Sequence, residues 1–223
     1  MKKVFSPLLA LASVLTCANV TAADLIHNDF EDGTTEGWGK GSAATNPITV
    51  ETEEDGNKYL KFISNGGNPD TEDKDIKITL HNSSGAWRGN YNAKGATTIS
   101  ARFKNMGTEP VEMHAAFGNT LADLRTRYVV ITGVEIPADG EWHDASFSLS
   151  DVQMVPLGGH GKSNATFSAK ETLGNIKSVR FTQGTLGEVT GEGHAGDDAP
   201  YTGWNSGEAI NADIGIDDIK LMN

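Results

Sequence analysis

The chain has 223 residues, 37% of them hydrophobic, with 18 Lys and Arg against 30 Asp and Glu, a net charge of −12. So acidic a protein is a poor partner for nucleic acid or an anionic membrane surface; it suits a neutral or cationic ligand and divalent cations. The single cysteine, Cys17, sits near the start, so residues 24–223 must fold on a hydrophobic core without a disulfide, with or without help from a metal.

Lys2 and Lys3 open the chain, an apolar run covers Val4 to Leu15, and Val20-Thr21-Ala22-Ala23 supplies small residues. This is the pattern of a secretory signal peptide over residues 1–23, too short for a mature transmembrane helix, with cleavage expected after Ala22 or Ala23. Val14-Leu15-Thr16 ahead of Cys17 lacks the small residue that lipid attachment favours, so ordinary cleavage is the better reading. The expected location is outside the cell or in a periplasm, with no insertion in a membrane. Residues 24–223 are expected to form one domain.

From there the chain alternates short apolar-polar runs with turn residues about every ten positions, the pattern of an all-β sandwich. Strands are expected over Leu25–Phe30, Ile48–Glu53, Lys58–Ile63 and Asp75–His81, and Glu54-Asp55-Gly56-Asn57 predicts a hairpin between the second and third. Ile99, Ala101 and Phe103 oppose Ser100, Arg102 and Lys104; Val111, Met113, Ala115 and Phe117 oppose Glu112, His114 and Ala116. Tyr128–Ile136, Trp142–Leu149 (Ala145, Phe147 and Leu149 inward) and Ile176–Phe181 follow. Val152–Glu171 reads as a loop or a short helix, and Gln183–Asn211 as a long acidic glycine-rich loop. The last strand changes parity: Ala212, Ile214 and Ile216 occupy one face, Ile219 and Leu221 the other. A β-bulge at Asp217-Asp218 would return both sets to one side. About ten strands, each wet on one face, describe two antiparallel sheets packed face to face.

The opening HNDFEDGTTEGW (residues 27–38) and closing IGIDDIKL (214–221) resemble the first and last strands of galactose-binding-like jelly rolls, a superfamily that includes many bacterial carbohydrate-binding modules. GAWRGNYNAKGATTISARFKN (85–105) and GEWHDASFSLS (140–150) resemble the strands between. The resemblance implies that first and last strands lie side by side with a structural calcium beside them. Carried over by position, Glu31 and Asp217 give carboxylates, and Asp29 or the Asp55–Asn57 turn gives backbone carbonyls. Hard cations take oxygen ligands, and carboxylates entering apolar strands need compensation, so the chemistry agrees.

A glycan site needs aromatic faces for the sugar ring and planar polar groups for its hydroxyls. Trp38 and Trp142 read as core residues from their places on strands. Trp87, Arg88 and Tyr91 in a connection, with Tyr201 and Trp204 in the acidic loop, are the site candidates; each ring has the alternative of pinning its loop to the sandwich. Members of the superfamily bind at a loop end or on a concave sheet face, and on the second arrangement Arg102, Glu112 and His114 contribute. The six histidines lack ligand spacing, and no carboxylate pair or Ser-His-Asp set stands out. The leading expectation is non-catalytic binding of a polysaccharide or other glycan. A structural or adhesive surface protein, then a polysaccharide lyase or hydrolase, are the alternatives; the oligomeric state is not legible.

Overall fold

The structure, a computed structural model, describes residues 23–40, 48–65, 78–121, 124–156, 167–186, 204–205 and 211–223. In chain order the strands are β1 (Asp24–Asn28), β2 (Trp38–Lys40), β3 (Ile48–Thr52), β4 (Lys58–Asn65) and β5 (Thr79–Asn82). A short helix α1 (Tyr91–Lys94) precedes β6 (Thr98–Asn105), β7 (Val111–Leu121), β8 (Leu124–Val130), β9 (Val134–Ile136), β10 (Trp142–Ser148) and β11 (Met154–Pro156). After helix α2 (Ala169–Leu173) come β12 (Ser178–Gln183), β13 (Thr185–Leu186), β14 (Trp204–Asn205) and β15 (Asn211–Met222).

These strands form the expected antiparallel sandwich. One sheet runs β10-β6-β15-β4-β3, with β1 paired to the second half of β15; the other runs β11-β8-β7-β12-β5-β2, with β9 beside β7. The sheets meet through aromatic contacts: Phe103 on the first lies 5.4 Å from Phe181 on the second, edge to face, and Phe147 lies 5.8 Å from the same ring. A separate two-stranded ladder, β13-β14, falls within the stretch expected to be a loop.

The closing strand behaves as its pattern requires. Asp217 pairs with Arg102, but the next pairing on that ladder is Lys220 with Ser100, so β15 carries one extra residue, and Asp218 takes a left-handed backbone at φ 50°. Ile214, Ile216, Ile219 and Leu221 all reach the core as a result. First and last strands are neighbours, with Asn28 opposite Ile219. The β3–β4 hairpin forms where Asp55-Gly56 predicts it, Gly56 supplying the positive φ.

Of the two short helices, α1 has no counterpart in the sequence reading, while α2 begins inside Val152–Glu171, the stretch read as a loop or a short helix. Asn90 caps α1 by accepting from Ala93 N–H, and Ser168 with Glu171 forms a capping box on α2. Tyr128–Ile136, expected as one strand, is split between β8 and β9, and β8 begins earlier, at Leu124. Of the expected Asp75–His81 strand, residues 75–77 lie outside the described residues, as do residues 1–22 of the expected signal peptide.

One polar group organises the core end where β1 and β2 meet. Asn28 Oδ1 accepts from the indole N–H of Trp38 at 2.9 Å and of Trp87 at 2.7 Å, while its Nδ2 donates to the His27 carbonyl and the Glu36 carboxylate. The indoles touch edge to face at 5.3 Å, and Trp38 stacks on Phe181. Two large rings are thus buried with their donors satisfied, as burial of tryptophan demands.

Candidate functional site

The outward face of the first sheet carries the most concentrated set of aromatic and charged side chains among the described residues. Strand alternation puts them there. Ile99, Ala101 and Phe103 of β6 enter the core, so Ser100, Arg102 and Lys104 point out; Ala145 and Phe147 of β10 enter it, so Trp142 and Asp144 point out opposite Lys104 and Arg102. On β4, Leu60 and Phe62 are inward and Tyr59 and Lys61 outward; on β15, Asp213, Gly215 and Asp217 face out.

Gly215 makes room at the centre. A Cβ there would lie 3.1 Å from Trp142 Cη2 and 3.1 Å from Tyr59 Cδ2, so only the absent side chain lets both rings settle over β15. Trp142 therefore reaches from β10 across β6, and the two rings meet edge to face at 5.4 Å. Cations accompany the indole: Arg102 Cζ is 5.2 Å and Lys104 Nζ 5.8 Å from its centroid. Glu53, just past β3, joins the group with one carboxylate, accepting from Trp142 Nε1 at 3.0 Å and from Lys104 Nζ at 2.6 Å. The Lys104 hydrogen bond holds Glu53 below the usual carboxylate range and, in return, raises Lys104.

The rest of the face is a ladder of ion pairs. Lys61 meets Asp213 at 3.0 Å, Lys220 meets Asp218 at 2.8 Å, and Arg102 lies 3.8 Å from both Asp144 and Asp217. His27 Nε2 sits 2.6 Å from Asp218 Oδ1. The surface sets a half-buried indole among charged side chains, an aromatic face of the kind on which a sugar ring stacks.

The residues singled out from sequence do not converge. Trp87 is fully buried, held by Asn28, and Tyr91 is 1% exposed with its hydroxyl donating to the Trp87 carbonyl. Neither ring offers a face to a ligand, a correction to the expectation of an exposed connection; both reach hydrogen-bond partners inside, which is why they bury. Burial pushes the Tyr91 phenol well up. Arg88 between them is exposed. Trp204 lies on β14 opposite Leu186, and Tyr201 lies outside the described residues. The second arrangement separates as well: Arg102 is on the outward face just described, whereas Glu112 and His114 are on the other sheet. His114 is not outward but fully buried, its Nδ1 donating to the Val130 carbonyl and its Nε2 3.2 Å from Glu112 Oε1. Trp142, expected in the core, is the ring the outer face presents; its parity, opposite to Ala145 and Phe147, was the available signal.

At the expected calcium position, Glu31 Oε1 accepts from Lys58 N–H at 3.0 Å and the Glu31 carbonyl accepts from Lys58 Nζ at 2.6 Å. Asp29 accepts from Glu31 N–H. Asp217, 3% exposed, accepts from Asn57 Nδ2 at 3.2 Å and Asp218 N–H at 2.7 Å, and burial raises its carboxyl above the usual range. These oxygens are of the type calcium takes. Nitrogen donors meet them here, and among the described residues no three acidic or histidine side chains converge on a point.

The fold has counterparts. The family 11 carbohydrate-binding module of a cellulosomal cellulase of Clostridium thermocellum matches with a TM-score of 0.53 at 13% identity, over 92% of this chain and 96% of that one. A family 28 module specific for non-crystalline cellulose matches at 0.51 and 10% identity, over 86% and 91%. The chain has the jelly-roll fold of the carbohydrate-binding modules. A third match is a Clostridium thermocellum endo-1,4-β-D-xylanase, in a structure of its family 22 and catalytic modules with xylohexaose; it scores 0.51 at 12% identity, over 90% of this chain and 28% of that one. No protein-family model matches the sequence, and no curated protein matches it.

Proposed function

We propose that this is an exported, non-catalytic carbohydrate-binding domain that holds an uncharged glycan across the outward face of its six-stranded sheet. The observation that carries the reading is the Trp142–Tyr59 pair over Gly215, surrounded by Arg102, Lys104 and Glu53, on a sheet whose fold is that of glycan-binding modules. An uncharged ligand fits because the outward cations Lys61, Arg102, Lys104 and Lys220 each already face a carboxylate, so the face offers an anionic glycan no net attraction.

Affinity electrophoresis of residues 24–223 through gels containing mixed-linkage β-glucan, xylan or polygalacturonate tests it. Retardation by a neutral polysaccharide, abolished by Trp142→Ala with an unchanged melting temperature, supports the site. Retardation that survives Trp142→Ala moves the site elsewhere, and none on any glycan favours a structural or adhesive role.

Calcium belongs to the same proposal. Glu31 and Asp217 would contribute carboxylates and Asp29 a carbonyl, with the Lys58 ammonium giving way to the ion; the burial cost on Asp217 is what a cation would relieve. A melting temperature that rises with millimolar calcium and falls with chelator supports it, and identical melts remove it.

A further inference from the structure

The indole on the outward face is covered by the protein's own cations, and the two are held very differently. Lys104 is fixed: Glu53 accepts its ammonium at 2.6 Å and, with the other carboxylate oxygen, accepts the Trp142 indole N–H at 3.0 Å, so ring and ammonium share one bracket. Arg102 is held loosely. Its two carboxylate contacts are both 3.8 Å, beyond hydrogen-bond length, and one of them, Asp144, is 94% exposed. Its guanidinium nonetheless lies nearer the ring centroid than Lys104 does, 5.2 Å against 5.8 Å.

We propose that Arg102 is a gate on Trp142: a sugar stacks on the indole only after the guanidinium swings off it, while Glu53 and Lys104 keep the ring in place. This rests on the glycan reading and adds its regulation. The gate opposes binding by the strength of an exposed cation–π contact, which corresponds to about a two- to five-fold loss of affinity. Both anchors of Arg102 are long and one, Asp144, is exposed, so added salt loosens that one, and an uncharged ligand binds more tightly as ionic strength rises. A site whose charges touch the ligand directly would show the opposite trend.

The test is calorimetric titration of residues 24–223 with xylohexaose and with a β-1,3-1,4-mixed-linked tetrasaccharide, at about 20 mM and about 500 mM salt, a range over which screening changes severalfold. Wild type is expected to gain affinity at high salt, by no more than the roughly two- to five-fold that full uncovering of the ring gives. Arg102→Ala should bind that much more tightly at low salt and lose the salt dependence. Since Arg102 also faces the buried Asp217, a second variant, Asp144→Asn, removes only the exposed anchor and should shift affinity in the same direction. Glu53→Ala should weaken binding, because it frees the ring rather than uncovering it. A ligand-free measurement runs alongside: acrylamide quenching assigned to Trp142, by difference from Trp142→Phe, should rise in both Arg102→Ala and Asp144→Asn. Weaker binding by Arg102→Ala at an unchanged melting temperature makes the guanidinium a ligand contact and overturns the gate, as does quenching that stays flat in both variants. If neither oligosaccharide binds any variant at either salt, the glycan reading fails, and the quenching alone decides whether Arg102 covers the ring.

Discussion

Replacing Asn28 by alanine should cost this domain a large part of its stability, although one small side chain is lost. The Asn28 carbonyl oxygen is the acceptor for both Trp38 Nε1 and Trp87 Nε1, and the two residues are 2% and 0% exposed, so neither donor has water to turn to. An unsatisfied buried donor costs about 1–3 kcal/mol, so two give roughly 2–6 kcal/mol. The lost Nδ2 contacts to Glu36 and His27 push the expectation toward the middle and upper part of that range, about 3–5 kcal/mol. Set against a total of about 5–15 kcal/mol for a typical domain, the variant should unfold at a urea midpoint lower by roughly 1–2 M, read by tryptophan fluorescence. Asn28→Asp supplies the control: it keeps an acceptor for the indoles but sets a second carboxylate against Glu36. It should fall between wild type and Asn28→Ala at neutral pH and recover as pH drops and the pair takes up a proton. A loss below about 1 kcal/mol in Asn28→Ala would refute the reasoning, by showing that the indoles find other partners.

Two further outcomes follow from the outer face. Gly215→Ala sets a Cβ 3.1 Å from each ring; the fold should change by no more than about 1–2 kcal/mol, while near-ultraviolet circular dichroism of the Tyr59–Trp142 pair changes and glycan retention drops. Asp217 has its folded pKa raised by burial, so in the folded state its ionised form is disfavoured and the penalty is present above that pKa and absent below the unfolded value. In chelator, Asp217→Asn should therefore gain melting temperature relative to wild type as pH rises from about 4 to 7; a gap that stays constant or narrows defeats the assignment.

Much of the scaffold could be read from parity alone. Ile99 to Lys104, Val111 to Phe117 and the change of face at Asp217-Asp218 each specify a strand and its buried side, because one wrong step would expose a row of isoleucines or phenylalanines. The site was harder, for a physical reason. Trp87 and Tyr91 lie in a non-repeating connection where no alternation says which way a ring points, and their burial depends on partners distant in sequence, Asn28 for one and the core beside Phe117 for the other. Trp142 did carry the information, since it stands three and five residues before Ala145 and Phe147 and so on the opposite face of the strand. Gly215 gave no hint at all, since its meaning comes from residues on two other strands. The Ser168-to-Glu171 spacing of the capping box favours the helix in a stretch that the glycine-rich sequence before it leaves open between loop and helix.

The place of β15 also governs when the domain can fold. It lies between β6 and β4 in the first sheet and pairs with β1, where Asp24 stands opposite Met222. Until those last residues have left the ribosome, β4 and β6 lack the strand that joins them, and β1 has no ladder to enter. Nearly the whole length must therefore be searched at once, a high-contact-order path of the kind that folds in milliseconds to seconds rather than microseconds. Removing β15 should leave an unfolded chain with unpaired strand edges, not a smaller sandwich, and the same dependence keeps a growing chain open until its closing strand has been made.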